Sequence, residues 1–141
     1  YAEKIVTAVE RGVANTRWRD FADIYLLSRK HDADGAELVA ALTRVAEHRQ
    51  IRLGSLATLL ARLPGPAQSR WAAWRRRQLP DGLLPENCTE VLNAVTAFAD
   101  PCLHPDPAPG IWDATTRRWT PVGWGTFGAR TFLGVLAPKE P

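Results

Sequence analysis

The sequence predicts a mainly α-helical bundle of about five or six helices over residues 1–100, followed by an irregular Pro-, Gly- and Trp-rich tail over residues 101–141. Three observations predict it. Apolar residues recur at helical spacing in successive segments up to about residue 100. Capping and proline signals separate those segments. Beyond Pro101 the periodicity stops, and Pro105, Pro107, Pro109 and Gly110 break the chain.

The first element spans residues 2–14, where Ala2, Ile5, Val6, Val9 and Val13 form one apolar stripe and Lys4, Thr7 and Arg11 project to the other side. Asn15-Thr16 supplies a stop and a new N-cap. The second helix, about Arg17 to Lys30, has Trp18, Phe21, Ala22 and Tyr25 on one face and Ile24, Leu26 and Leu27 over much of the rest. A helix apolar nearly all round is a buried one, yet Asp20 and Asp23 lie on it. Asp34-Gly35-Ala36-Glu37 resembles a capping box and opens a third helix with Leu38, Leu42, Val45 and Ala46, ending near Gln50. A short helix over 55–63 stops at Pro64-Gly65-Pro66, and another follows over 67–79 with Trp71 and Trp74 three residues apart. After Pro80-Asp81-Gly82, Pro85 suits the first position of a last helix, with Val91, Leu92, Val95 and Phe98 on one side and Pro101 just past its end. Within the tail, Ile111-Trp112 and Arg118-Trp119-Thr120 are candidate strands of a hairpin over 110–121.

Composition bounds the function. A chain of 141 residues, 45% hydrophobic and 23% charged, is globular and long enough for one domain, or one domain plus a tail. No apolar run approaches the roughly 20 residues of a membrane span, and no signal-peptide pattern opens the chain. Two cysteines, Cys88 and Cys102, fit a reducing cytoplasm better than a disulfide scaffold. The net charge of +3 permits a nucleic-acid partner without demanding one. The sequence has no methionine and begins in helical pattern, so a longer parent protein is expected.

The chemistry concentrates at the start. Two helices joined by a short turn lie side by side, so Lys4 and Arg11 on one ridge can face Asp20 and Asp23 on the next helix. A lysine beside paired carboxylates suits phosphate chemistry: the cation neutralises triphosphate oxygens, and a carboxylate can accept a proton from an attacking hydroxyl. The same residues serve equally as a structural tie between helices, and an acid early in a helix is favoured by the macrodipole alone. Spacing leaves both readings open.

The run Ala2-Glu3-Lys4-Ile5-Val6-Thr7-Ala8-Val9-Glu10-Arg11-Gly12, then Thr16-Arg17-Trp18-Arg19-Asp20-Phe21-Ala22-Asp23-Ile24-Tyr25, resembles the C-terminal motifs of the AbiEii/AbiGii toxin family of nucleotidyltransferases. The likeness is dense over residues 2–27 and looser to about residue 100. It implies the C-terminal part of a larger α/β nucleotidyltransferase-like protein, in which these helices complete an active site begun elsewhere. By position, Lys4 would contact the nucleotide phosphates, Asp20 would act as base or orient the acceptor hydroxyl, and Asp23 is the second acid of the motif. Arg11, Arg17 and Arg19 would be neighbouring phosphate contacts, with Arg19 standing where many members have lysine. The family implies Mg²⁺ and an NTP as cofactor and substrate, a tRNA 3′ end or other RNA as acceptor, and a cognate antitoxin as partner. One departure is large. The family's Gly-Ser turn followed by metal-binding acids is missing, because Gly54-Ser55 leads into a helix without an acid close behind. The metal-binding half is therefore expected upstream, in the same protein, and this chain alone is expected to be inactive.

Arg70, Arg75, Arg76 and Arg77 around Trp71 and Trp74 are candidate RNA contacts, since guanidinium groups grip phosphates and indoles stack on bases. The alternative is a tryptophan core with a solvated arginine face. His31, His48 and His104 lack ligand spacing, the two cysteines make a poor zinc site, and no metal ligand set is assigned. Gly123 to Gly128 does not have the strand and helix that a phosphate loop needs. The expected function is thus NMP transfer from an NTP to RNA by the parent protein. The rival is a non-enzymatic helical interaction or RNA-binding module, distinguished by whether Lys4 and Asp20 matter to activity or only to folding.

Overall fold

A computed structural model describes residues 1–11, 18–61, 67–78, 82–107 and 109–121. Six helices are seen among them: α1 (Ala2–Arg11), α2 (Trp18–Lys30), α3 (Gly35–Arg49), α4 (Leu56–Leu60), α5 (Ala67–Gln78) and α6 (Cys88–Leu103). Three short strands, β1 (Ala33–Asp34), β2 (Ile111–Asp113) and β3 (Arg118–Thr120), form an antiparallel sheet in that order. The mainly helical expectation holds. No helix among the described residues is long and apolar enough to cross a membrane.

Apolar periodicity decides the packing. α1 buries Ile5, Val6, Ala8 and Val9, and α2 buries Trp18, Phe21, Ala22, Ile24 and Tyr25 in the same core cluster. α3 adds Leu38 and Leu42, and α6 adds Val91, Leu92, Val95, Phe98 and Ala99. Asp34 caps α3, its carboxylate accepting from the N–H groups of Ala36 and Glu37, and Gln50 closes the other end in the left-handed region at φ 57°. α4 is capped twice. Ser55 Oγ accepts from Thr58 N–H at 3.3 Å, and Asp100 of α6 accepts from Leu56 N–H at 2.7 Å and Ala57 N–H at 3.1 Å.

The last helix departs from expectation at both ends. Pro85 is not its first residue: α6 starts at Cys88, with Asn87 as N-cap accepting from Thr89 N–H at 2.8 Å. The 82–87 segment is held outside the helix by α5, whose Trp71 Nε1 and Arg75 Nε donate to the carbonyls of Pro85 and Leu84. Gln68 Oε1 takes the Cys88 N–H at 2.8 Å. Pro101 lies inside the final turn rather than past it, where a missing N–H and the ring clash disturb little more than the helix end.

The hairpin forms at the expected place, with Trp112 opposite Trp119 and Asp113 opposite Arg118. Unforeseen is β1, which adds to its edge through Ala33 opposite Trp112. Two glycines permit this. Gly110 turns at φ 83°, and the Gly35 N–H donates to the Gly110 carbonyl at 2.8 Å, an approach at which a Cβ on Gly35 would meet that oxygen at 2.5 Å. Trp112 enters the core, its ring edge-on to Phe98 at 4.9 Å and its Nε1 donating to the Ser28 carbonyl at 2.6 Å. Trp119 stacks on Phe98 at 5.6 Å. Gly123 to Gly128 and the rest of the chain beyond residue 121 lie outside the described residues.

Candidate functional site

α1 and α2 are neighbours because each buries an apolar face in one core. That packing leaves their polar residues along the shared seam. Lys4 leaves α1 at the edge of its buried face, one turn from buried Ala8, while Asp20 and Asp23, three residues apart on α2, lie one turn from each other. Lys4 Nζ sits 2.7 Å from Asp23 Oδ2 and 3.7 Å from Asp20 Oδ1. The three side chains therefore converge. Lys4 and Asp23 are about one-third exposed (34% and 33%), whereas the Asp20 side chain is 8% exposed, so the cluster has one inner acid and an open rim.

A carboxylate held this deep needs compensation, and the ammonium of Lys4 supplies part of it. The arrangement offers a cation reachable from water and two acceptor groups within a few ångströms of it. It can neutralise an incoming oxyanion and hold a hydroxyl donor by hydrogen bonds. It is a poor seat for a pair of divalent cations, since the ammonium already stands between the two acids. Among the described residues no three His, Cys, Asp or Glu side chains group around a metal position.

The remaining predicted residues spread outward. Arg11 ends α1, exposed, on the Lys4 ridge two turns along, and Arg19 is exposed on α2. Neither is paired with an acid among the described residues. Arg17 lies outside the described residues. On α5, Arg70, Arg76 and Arg77 are exposed and Arg75 is half-buried, its Nε bound to the Leu84 carbonyl at 3.0 Å. Trp71 is completely buried, edge-on to Trp18 at 5.6 Å, so it cannot stack on a base, and Trp74 stacks on it from the part-exposed side. His31, His48 and His104 are exposed, and Cys88 and Cys102 are buried, unbridged thiols.

Sequence reasoning missed the group that fixes α1. Arg49, in the last turn of α3, forks between Glu3 and Glu10 of α1 and also donates to Thr7 Oγ1 at 3.0 Å. Glu3 and Glu10 are seven apart, hence on one face, which was the available signal. Glu3, the acid beside Lys4, is thereby committed to Arg49. A cleft of about 890 Å³ opens next to Lys4, between α1 and the start of α3, lined by Tyr1, Glu3, Lys4, Asp32, Asp34, Glu37 and Arg44 among others. Its four acids make it unfavourable for a triphosphate on its own. Tyr1 packs its ring on Phe98 at 4.7 Å, and burial pushes its hydroxyl up to about 12.

The family model for nucleotidyl transferase AbiEii toxins of type IV toxin–antitoxin systems matches residues 1–106. The chain belongs to the AbiEii toxin family. The match covers α1 through α6, including every residue of the Lys4–Asp20–Asp23 cluster and the arginines of α5. No curated protein and no solved structure matches the chain. As a member of a type IV toxin–antitoxin family, the AbiEii-type chain implies a cognate antitoxin as partner.

Proposed function

We propose that this chain forms the lysine–carboxylate wall of an AbiEii nucleotidyltransferase centre that moves a nucleoside monophosphate from an NTP to an RNA hydroxyl. One observation carries the reading: Lys4 Nζ lies within 2.7 Å of Asp23 and 3.7 Å of Asp20 at a rim open to water. In the transfer, the acceptor oxygen bonds to the α-phosphorus of the NTP, the bond to the bridging oxygen breaks, and pyrophosphate leaves with that oxygen. Lys4 neutralises oxygens of the triphosphate, where charge accumulates on the leaving group. Asp20 accepts or orients the proton of the acceptor hydroxyl, and Asp23 holds Lys4 in place between turnovers. Arg11 and Arg19, with Arg17, are further phosphate contacts.

Mg²⁺ chemistry of the family requires grouped acids, and the described residues do not supply them. The metal-binding half falls to an upstream segment of the same protein, and the chain by itself is inactive. The acceptor is the 3′ end of tRNA, with Arg70, Arg76 and Arg77 on the outer face of α5 holding the RNA backbone. The setting is the bacterial cytoplasm, where such a toxin, released from its antitoxin, arrests growth or counters phage.

The test uses the intact protein. Lys4→Ala and Asp20→Asn should each abolish labelled-nucleotide incorporation and toxicity while the thermal midpoint barely moves. If activity instead falls only in proportion to the folded fraction, the cluster is a tie between helices, and the chain is an interaction or RNA-binding module.

A further inference from the structure

A second cavity lies where the end of α2, the middle of α6 and the hairpin meet. It measures about 190 Å³ and is lined by Ser28, Arg29, Ala94, Ala97, Trp112 and Arg117. That is below the roughly 300 Å³ at which drug-sized pockets begin, so it suits one small group. Two of its six lining residues are arginines, and none is an acid.

Among the described residues no carboxylate pairs with Arg29 or Arg117. The Nε of Arg29 is sealed from water without a hydrogen-bond partner, while its guanidinium lies over the Tyr25 ring at 4.2 Å, which fixes its direction. A buried N–H donor left open is costly, and proteins retain few of them. Arg117 adds an independent observation. It sits in the left-handed region at φ 59°, where its N–H closes the loop onto the Asp113 carbonyl at 2.7 Å. Glycine takes that conformation without strain, and a long cationic side chain there carries a backbone cost that no ion pair among the described residues offsets. The nearby acids point elsewhere: Asp113 accepts from Thr115 and Thr116 N–H, and Asp32 accepts from Ala114 N–H.

We propose that the Arg29–Arg117 cavity binds a phosphate-type oxyanion. Two arginines lining one small cavity with alanines and an indole, and no acid among the lining residues, fit a compact tetrahedral anion, held through the terminal N–H groups of the guanidiniums. The site is separate from the Lys4 cluster. Arg29 follows Asp20 by nine residues, about two and a half turns, and so leaves the opposite side of α2. The inference therefore stands whether or not the chain serves nucleotidyl transfer.

The experiment is a titration of inorganic phosphate into the intact protein at constant ionic strength, following the NMR signals of Arg29 Nε–H and Trp112 Nε1–H. Saturable shifts are expected, with affinity reduced roughly tenfold or more in Arg29→Gln and in Arg117→Gly. Arg117→Gly guards against misfolding as an explanation, because glycine at that φ should raise the thermal midpoint while binding is lost. Dimethyl phosphate separates the sources. Competition for the same signals assigns the site to a backbone diester, and failure to compete assigns it to free phosphate. Shifts that do not saturate, that chloride reproduces, or that survive in Arg117→Gly would overturn the proposal.

Discussion

At the scale of single residues, magnitudes separate structural from chemical roles. Lys4 and Asp23 are one-third exposed, and an ion pair of that kind contributes about 0–1 kcal/mol to folding. Removing a cation that meets charge in a transition state costs roughly 10²–10³ in rate. Lys4→Ala should therefore show a wide gap between a small shift in urea midpoint and a large fall in incorporation. Equal, modest effects on both would count against the catalytic reading. Asp113 gives a second residue-level prediction. Its carboxylate accepts from the backbone N–H groups of Thr116 and Thr115, which holds its pKa below the usual value near 3.8. A lowered folded-state pKa means the stabilisation is complete above the unfolded value and is lost as pH falls through the folded one. The Thr115 and Thr116 amide signals should accordingly report a weakening loop only below the ordinary aspartate range. Asp113→Asn should flatten that acid response.

Among elements, helices were readable where period and cap agreed. Asp34, Leu38 and Leu42 announced α3 at the right place because both signals are local. The start of α6 was misplaced because Pro85 carries a strong local preference for a first helical position, and long-range bonds from Trp71, Arg75 and Gln68 overrode it. β1 was invisible, since two residues carry no alternation and the pairing depends on a strand more than 70 positions away. The Lys4–Asp20–Asp23 convergence was legible from spacing, whereas the Arg49 fork that fixes α1 was not, as it joins residues 39 to 46 positions apart. α4 shows how far such distant bonds matter. Five residues do not sustain a helix alone, and Asp100 satisfies two of its first N–H groups as well as Ser55 Oγ at 3.0 Å. Asp100→Ala should cost about 1–2 kcal/mol and raise hydrogen exchange selectively at Leu56 and Ala57. Uniform exchange across all helices would mean that the carboxylate does not act as the cap of α4.

For the molecule as a whole, the decisive question is whether the hairpin belongs to the cooperative unit. Composition sets residues 101–141 apart, and the family match ends at residue 106, yet Trp112 is 3% exposed and sits in the main core cluster. Three aromatic contacts, to Phe98 from Tyr1, Trp112 and Trp119, tie the chain start, α6 and the hairpin around one ring. Two indole N–H bonds, to the carbonyls of Ser28 and Phe98, add direction to that packing. Because Tyr1 immediately precedes the helix carrying Lys4, the hairpin braces the same end of α1 that presents the candidate site. Trp112→Ala removes a buried indole and leaves the Ser28 carbonyl without its donor, a loss of about 3–5 kcal/mol, which is a large share of a domain's typical ~5–15 kcal/mol. Urea unfolding followed by far-UV dichroism and by tryptophan emission should still give one coincident transition, moved to much lower denaturant. An independent appendage would behave otherwise: the helical transition would stay where it was, and only the emission change attached to the hairpin would move.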